Sequence, residues 1–68
     1  MRHVLRHLWA SSRLECVLSA VGDPPILFVQ IISADSAHRP LYSQRIMHQT
    51  DADTVAADLW RTFVKDPH

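Results

Sequence analysis

The stretch Ile26-Leu27-Phe28-Val29-Gln30-Ile31-Ile32 limits what this chain can fold into more than any other. A surface strand alternates, apolar toward the core and polar toward water. Here Ile26, Phe28 and Ile32 point one way, and Leu27, Val29 and Ile31 the other. Only Gln30 interrupts the run. An alternation filled on both sides fixes no register, so the sequence does not say which side meets the core. In a chain of 68 residues, something has to cover the second side.

That length makes a single domain, residues 1–68. A domain so small buries only about 60% of its unfolded surface, and small folds add a disulfide, a metal or a second subunit. The one cysteine, Cys16, excludes an internal disulfide and fits a reducing compartment. The chain is too apolar for disorder, at 47% hydrophobic residues. No apolar run approaches the roughly 20 residues of a membrane span. Seven basic and seven acidic side chains cancel, which argues against indiscriminate nucleic-acid binding. The cancellation is uneven: Arg2, Arg6 and Arg13 precede the first acid, Glu15, whereas aspartates dominate from Asp51 onward.

In residues 1–12 the apolar Val4, Leu5, Leu8 and Trp9 recur at i, i+1, i+4 and i+5, which predicts a short basic amphipathic helix ending at Ala10-Ser11-Ser12. Residues 13–49 read as a three-stranded sheet. Arg13–Val21 alternates, the Gly22-Asp23-Pro24-Pro25 break makes a hairpin, and Ile26–Ile32 is the returning strand. After a polar connection ending at Pro40, Leu41–Gln49 is a half-exposed edge strand. Residues 51–65 carry a helix with Thr50 or Asp51 as its cap, Lys65 in its last turn and Pro67 beyond. Val55, Ala56, Leu59, Trp60 and Phe63 form its apolar stripe, expected to be buried. The expected fold is α+β: a small two-layer domain in the order α-β-β-β-α. The second side of Ile26–Ile32 then has three covers open to it: the N-terminal helix through Leu5, Leu8 and Trp9, a second copy, or a foreign protein.

Few residues suggest chemistry. His3 and His7 are four apart, the spacing of two-histidine metal sites on a helix, but Arg2 and Arg6 flank them and no third ligand is near in sequence. Two solvent-facing histidines are the plainer account, and no cofactor is expected. Cys16 lies mid-strand on the core side, where a thiol is a small hydrophobe. Ser33, Asp35, Ser36 and His38 share a loop, yet a triad is defined by geometry, and no nucleophile elbow or glycine-rich oxyanion loop accompanies them. The chain is therefore read as non-enzymatic.

The expectation is a small protein–protein interaction module, an adaptor, regulator or inhibitor of another protein, that also pairs as a homodimer. Its contact residues would be Leu5, Leu8, Trp9, Phe28, Tyr42 and Arg45, since Trp, Tyr and Arg dominate interface energies. The rival expectation is a small nucleic-acid-binding regulator, with Arg2, Arg6, Arg13 and Arg39 tracking a backbone. A cytoplasmic location is expected. The Arg-rich, acid-free start, with Ser11 and Ser12, makes a mitochondrial presequence the second reading.

Overall fold

The structure, a computed structural model, describes residues 2–65. Strands β1 (Arg2–Ala10), β2 (Leu14–Val21), β3 (Ile26–Ser33) and β4 (Pro40–Ile46) form one antiparallel meander in the order β1-β2-β3-β4. A 3-10 turn, Gln49–Asp51, leads into the helix α1, Ala52–Phe63. The class is α+β, but the expected order α-β-β-β-α is overturned. Residues 2–10 are a fourth strand at the sheet edge, and Ser11 to Arg13 turn the chain into β2 instead of ending a helix. The turn is closed by Ser11 N–H donating to Leu14 O at 2.8 Å and Leu14 N–H donating to Ser11 Oγ at 3.1 Å.

The misleading periodicity has a physical origin. β1 slips against β2 twice: Val4 faces Ser19 and Arg6 faces Leu18, then His7 faces Val17 and Trp9 faces Cys16. Leu5 and Leu8 are the extra residues of two bulges. Each slip shifts the period-two pattern by one, so a bulged strand shows apolar residues at 4, 5, 8 and 9, the pattern of a helix face. A helix of that length is marginal by itself, whereas the strand gains a ladder along β2 that is interrupted only at the two bulges.

Side chains directly opposite in the ladders share a face. Ala20, Leu27 and Ile46 form one row, Leu18, Val29 and Gln44 the next, and Cys16, Ile31 and Tyr42 a third. These rows face α1. The buried core joins Cys16, Leu18, Val29, Ile31 and Ile46 to Ala52, Ala56 and Leu59 of the helix, with Leu8, Trp9, Leu14, Leu27 and Val55 packed against it. Leu27, Val29 and Ile31 are thus the core-facing set of β3, and Ile26, Phe28 and Ile32 face away.

Other expectations need correction. Thr50 and Asp51 make no side-chain cap, because Asp51 closes the 3-10 turn with helical φ/ψ of −79° and −14° and lacks the extended backbone that capping uses. The third strand of the expected sheet, now β4, ends at Ile46 because Gln49–Asp51 are already in the 3-10 turn. The helix stops at Phe63, which leaves Lys65 beyond it and Arg61 as the cation of its last turn. Phe63 is 40% exposed instead of buried. Pro67 lies outside the described residues.

The face away from the helix is partly closed by its own side chains. Arg2 Nη1 donates to Gln30 Oε1 at 3.2 Å, and Gln30 Nε2 donates to Ser43 Oγ at 2.8 Å. Because β2 lies between β1 and β3, the Arg2 side chain crosses β2 to make its bond. Val17 and Ser19 of β2 are almost wholly buried on this face. The interrupting Gln30 is thus the hub of a polar belt running from β1 to β4. The N-terminal segment does not fold over this face; it widens the sheet.

Candidate interaction surfaces

The two sheet edges differ. On β1, Trp9 Nε1 donates to the Ala56 carbonyl of α1 at 2.8 Å, and the Trp9 and Trp60 rings meet edge-to-face at 5.1 Å. Arg6 pairs through both guanidinium Nη atoms with the Asp53 carboxylate, each at 3.4 Å, in the open. The helix thus leans on this edge, while the bulges and Arg2 and Arg6 blunt it. A groove of about 410 Å³ runs between β1 and α1, walled by Trp9, Trp60 and Ala57 with Asp53, Arg61 and Lys65 around it. Arg61 is paired with Asp58, one turn back.

The β4 edge has neither a covering helix nor a row of charges. From Tyr42 to Ile46 it pairs regularly with β3, and its one irregularity, at Leu41, lies toward Pro40. Arg45 is its only charged residue. Among the described residues, five of the seven exposed large apolar side chains gather around this edge; Val4 and Leu5, the other two, are on β1. Leu41 is 51% exposed and Met47 71%. Tyr42 stands 5.5 Å from Phe63, ring to ring, and both are exposed. Ile26 joins Arg45, Ile46 and Met47 around a shallow hollow at the other end.

The expected contact residues are therefore scattered. Leu8 and Trp9 pack against the core, and Leu5 is a half-exposed bulge residue on β1. Phe28 and Arg45 are directly opposite on the face away from the helix, whereas Tyr42 is on the helix side. Tyr42 and Arg45 do share the β4 edge. Leu41, Gln44, Met47 and Phe63 were missed. The signal for the first three was present in the reading of residues 41–49 as an exposed edge, but a single exposed apolar residue means little until its neighbours are known; Phe63 gave no such signal, since it belongs to the helix's apolar stripe.

The arginines of the nucleic-acid reading do not form one surface. Arg2 lies across the open face, Arg6 is on the helix side with Asp53, and Arg13 and Arg39 sit in the two turns at one end of the sheet. His3 faces Ala20 and His7 faces Val17, on opposite faces, so the four-residue spacing that would join them on a helix separates them on β1. His7 is instead 3.8 Å from Glu15, an ion pair only when the imidazole is protonated.

The serine-histidine loop is a turn scaffold. Ser33 Oγ donates to Asp35 at 2.9 Å and accepts from the Arg39 N–H at 2.8 Å; the Ala37 N–H also donates to Asp35, at 3.0 Å. The Ser33 hydroxyl, with the Ala37 and His38 amides, holds the Asp35 carboxyl below its usual pKa. His38, at φ 48°, makes the left-handed step that closes the loop. Burial pushes the Cys16 thiol up to about 11, so it stays protonated and unreactive. Among the described residues no helix is long and apolar enough to cross a membrane. No family model, curated protein or solved structure matches the chain.

Proposed function

We propose that this chain is a small non-enzymatic protein–protein interaction module, a regulator, adaptor or inhibitor that also self-associates. One observation carries this reading. Five of the seven large apolar side chains left exposed, Ile26, Leu41, Tyr42, Met47 and Phe63, lie on or beside β4, the edge that among the described residues no helix covers and no row of charges guards; Val4 and Leu5 are on β1. An exposed apolar patch beside a free strand edge is a surface that a second chain can cover. Tyr42 and Arg45 on that edge are residue types that carry interface energy. The arginine arrangement favours this reading over nucleic-acid binding, since Arg2 and Arg6 are engaged within the chain and the others point elsewhere.

Solution mass by light scattering across a concentration series tests it. A mass above that of one chain, lowered by Tyr42→Ala without loss of the fold, supports the reading. A single-chain mass throughout removes self-association from it. A mobility shift of DNA or RNA at low salt, vanishing as salt rises, would favour the nucleic-acid reading instead.

A further inference from the structure

We infer that two copies pair antiparallel through β4, about a two-fold axis at Gln44, to make one continuous eight-stranded sheet with both helices on the same face. The inference rests on the self-associating reading above and names its surface. A two-fold axis that joins two edge strands antiparallel stands perpendicular to the sheet, so each side chain keeps its face. Residues can then meet only their own parity. Centred on Gln44, the pairing sets Tyr42 against Ile46 of the second copy on the helix side. Ser43 meets Arg45 of the second copy on the open side. Gln44 meets itself. These five residues are the regular part of β4. Just outside them, Leu41 and Met47, both exposed in one copy, come together at each end.

The chemistry favours this register over its neighbours. A Gln44 amide carries both donor and acceptor and can bond to its own copy. Tyr42 and Ile46 are an aromatic–aliphatic cross-strand pair, and no charge meets its like. An axis at Arg45 sets guanidinium against guanidinium. An axis at Tyr42 sets Arg45 against Arg39. An axis at Ser43 spends Tyr42 on Gln44 and places Leu41 against Arg45. Only the Gln44 axis pairs apolar with apolar on both flanks. It also brings Tyr42 and Phe63 of both copies into the space between the two helices, which covers the exposed pair. β1 offers no equivalent, because its bulges break the ladder and Arg2 and Arg6 lie along it.

The test is solution mass of the full chain and of Gln44→Glu and Gln44→Lys, each checked for a native circular-dichroism spectrum. The parent is expected to be a dimer. Each variant alone sets like charges on the axis and raises the dimer dissociation constant about fivefold or more. An equimolar mixture restores the dimer, because glutamate then faces lysine. Should a Gln44 variant lose its fold, Met47→Glu takes its place; this side chain is 71% exposed, and the charge against Leu41 lowers the dimer fraction. A parent that stays monomeric overturns the edge pairing and self-association together. A parent dimer that ignores these substitutions overturns the edge pairing alone, and a dimer broken instead by Phe28→Lys places the copies face to face.

Discussion

Cys16 lies between Trp9 of β1 and Ile31 of β3 with nothing of it exposed. Only the neutral thiol fits there, and burial raises its pKa from 9.0 to about 11. The folded state therefore holds the proton more tightly than the unfolded one. The stability this provides is complete below about 9 and is lost as pH rises toward about 11. Urea midpoints should fall across that window in the parent and fall less in Cys16→Ala; equal alkaline losses would show that Cys16 is not the group responsible. A thiol reagent should react with the native chain only as fast as it opens. The helix stripe separates in the same way. Leu59 is 6% exposed and Phe63 40%. Leu59→Ala should cost about 2–5 kcal/mol, enough to unfold a domain with so thin a margin, while Phe63→Ala should cost about 1 kcal/mol in a single copy. Thermal melts that rank the two the other way would contradict the assigned core.

At the level of elements, β1 is held at the edge by its ladder to β2, by the Trp9–Ala56 hydrogen bond and by the exposed Arg6–Asp53 pair. Trp9→Phe keeps an aromatic ring beside Trp60 but removes the indole N–H that donates to the Ala56 carbonyl. A loss of about 1 kcal/mol is expected, together with faster amide exchange along residues 2–10. Unchanged exchange there would mean that the Trp9 hydrogen bond does not help to hold the strand. This element is also where the sequence misled. The β2–β3 hairpin was legible because Gly22 to Pro25 break the chain between two runs of strand residues, and Gly22 takes the φ of +87° that a side chain would resist. The helix was legible from its stripe and the β4 edge from its polarity. β1 was not, because two bulges wrote a helical spacing into a strand. Without that strand, the reading had a helix to spare for the second face and one strand too few, which left β2 as an edge. Which side of β3 meets the core was equally hidden, since both sides are apolar. The one discriminating residue, Gln30, acts only through Arg2 and Ser43, far away in sequence. Of the expected contact residues, Tyr42 and Arg45 fell on the exposed edge because they were chosen from an exposed strand. Leu8 and Trp9 fell on the core because they were chosen from the misread one.

For the whole molecule, the sheet has two edges and one helix, and the helix leans on the β1 side through Trp9 and Arg6. The β4 side is left with Leu41, Tyr42, Met47 and Phe63 in contact with water. A chain of 68 residues has little stability in reserve, and covering that side would add to it. If β4 pairs copies, folding and association are one equilibrium, and the melting temperature depends on protein concentration. Tenfold more protein favours a dimer by about 1.4 kcal/mol, shared between two chains, which for domains of this size raises the midpoint by roughly 3–6 °C. The parent should show that rise across a concentration series. Gln44→Glu should melt lower than the parent at each concentration, because its folded form draws less on a partner. A parent midpoint that stays flat while the chain is dimeric by mass at room temperature would mean that the copies separate before they unfold, so that the single copy holds its fold up to the midpoint without its partner.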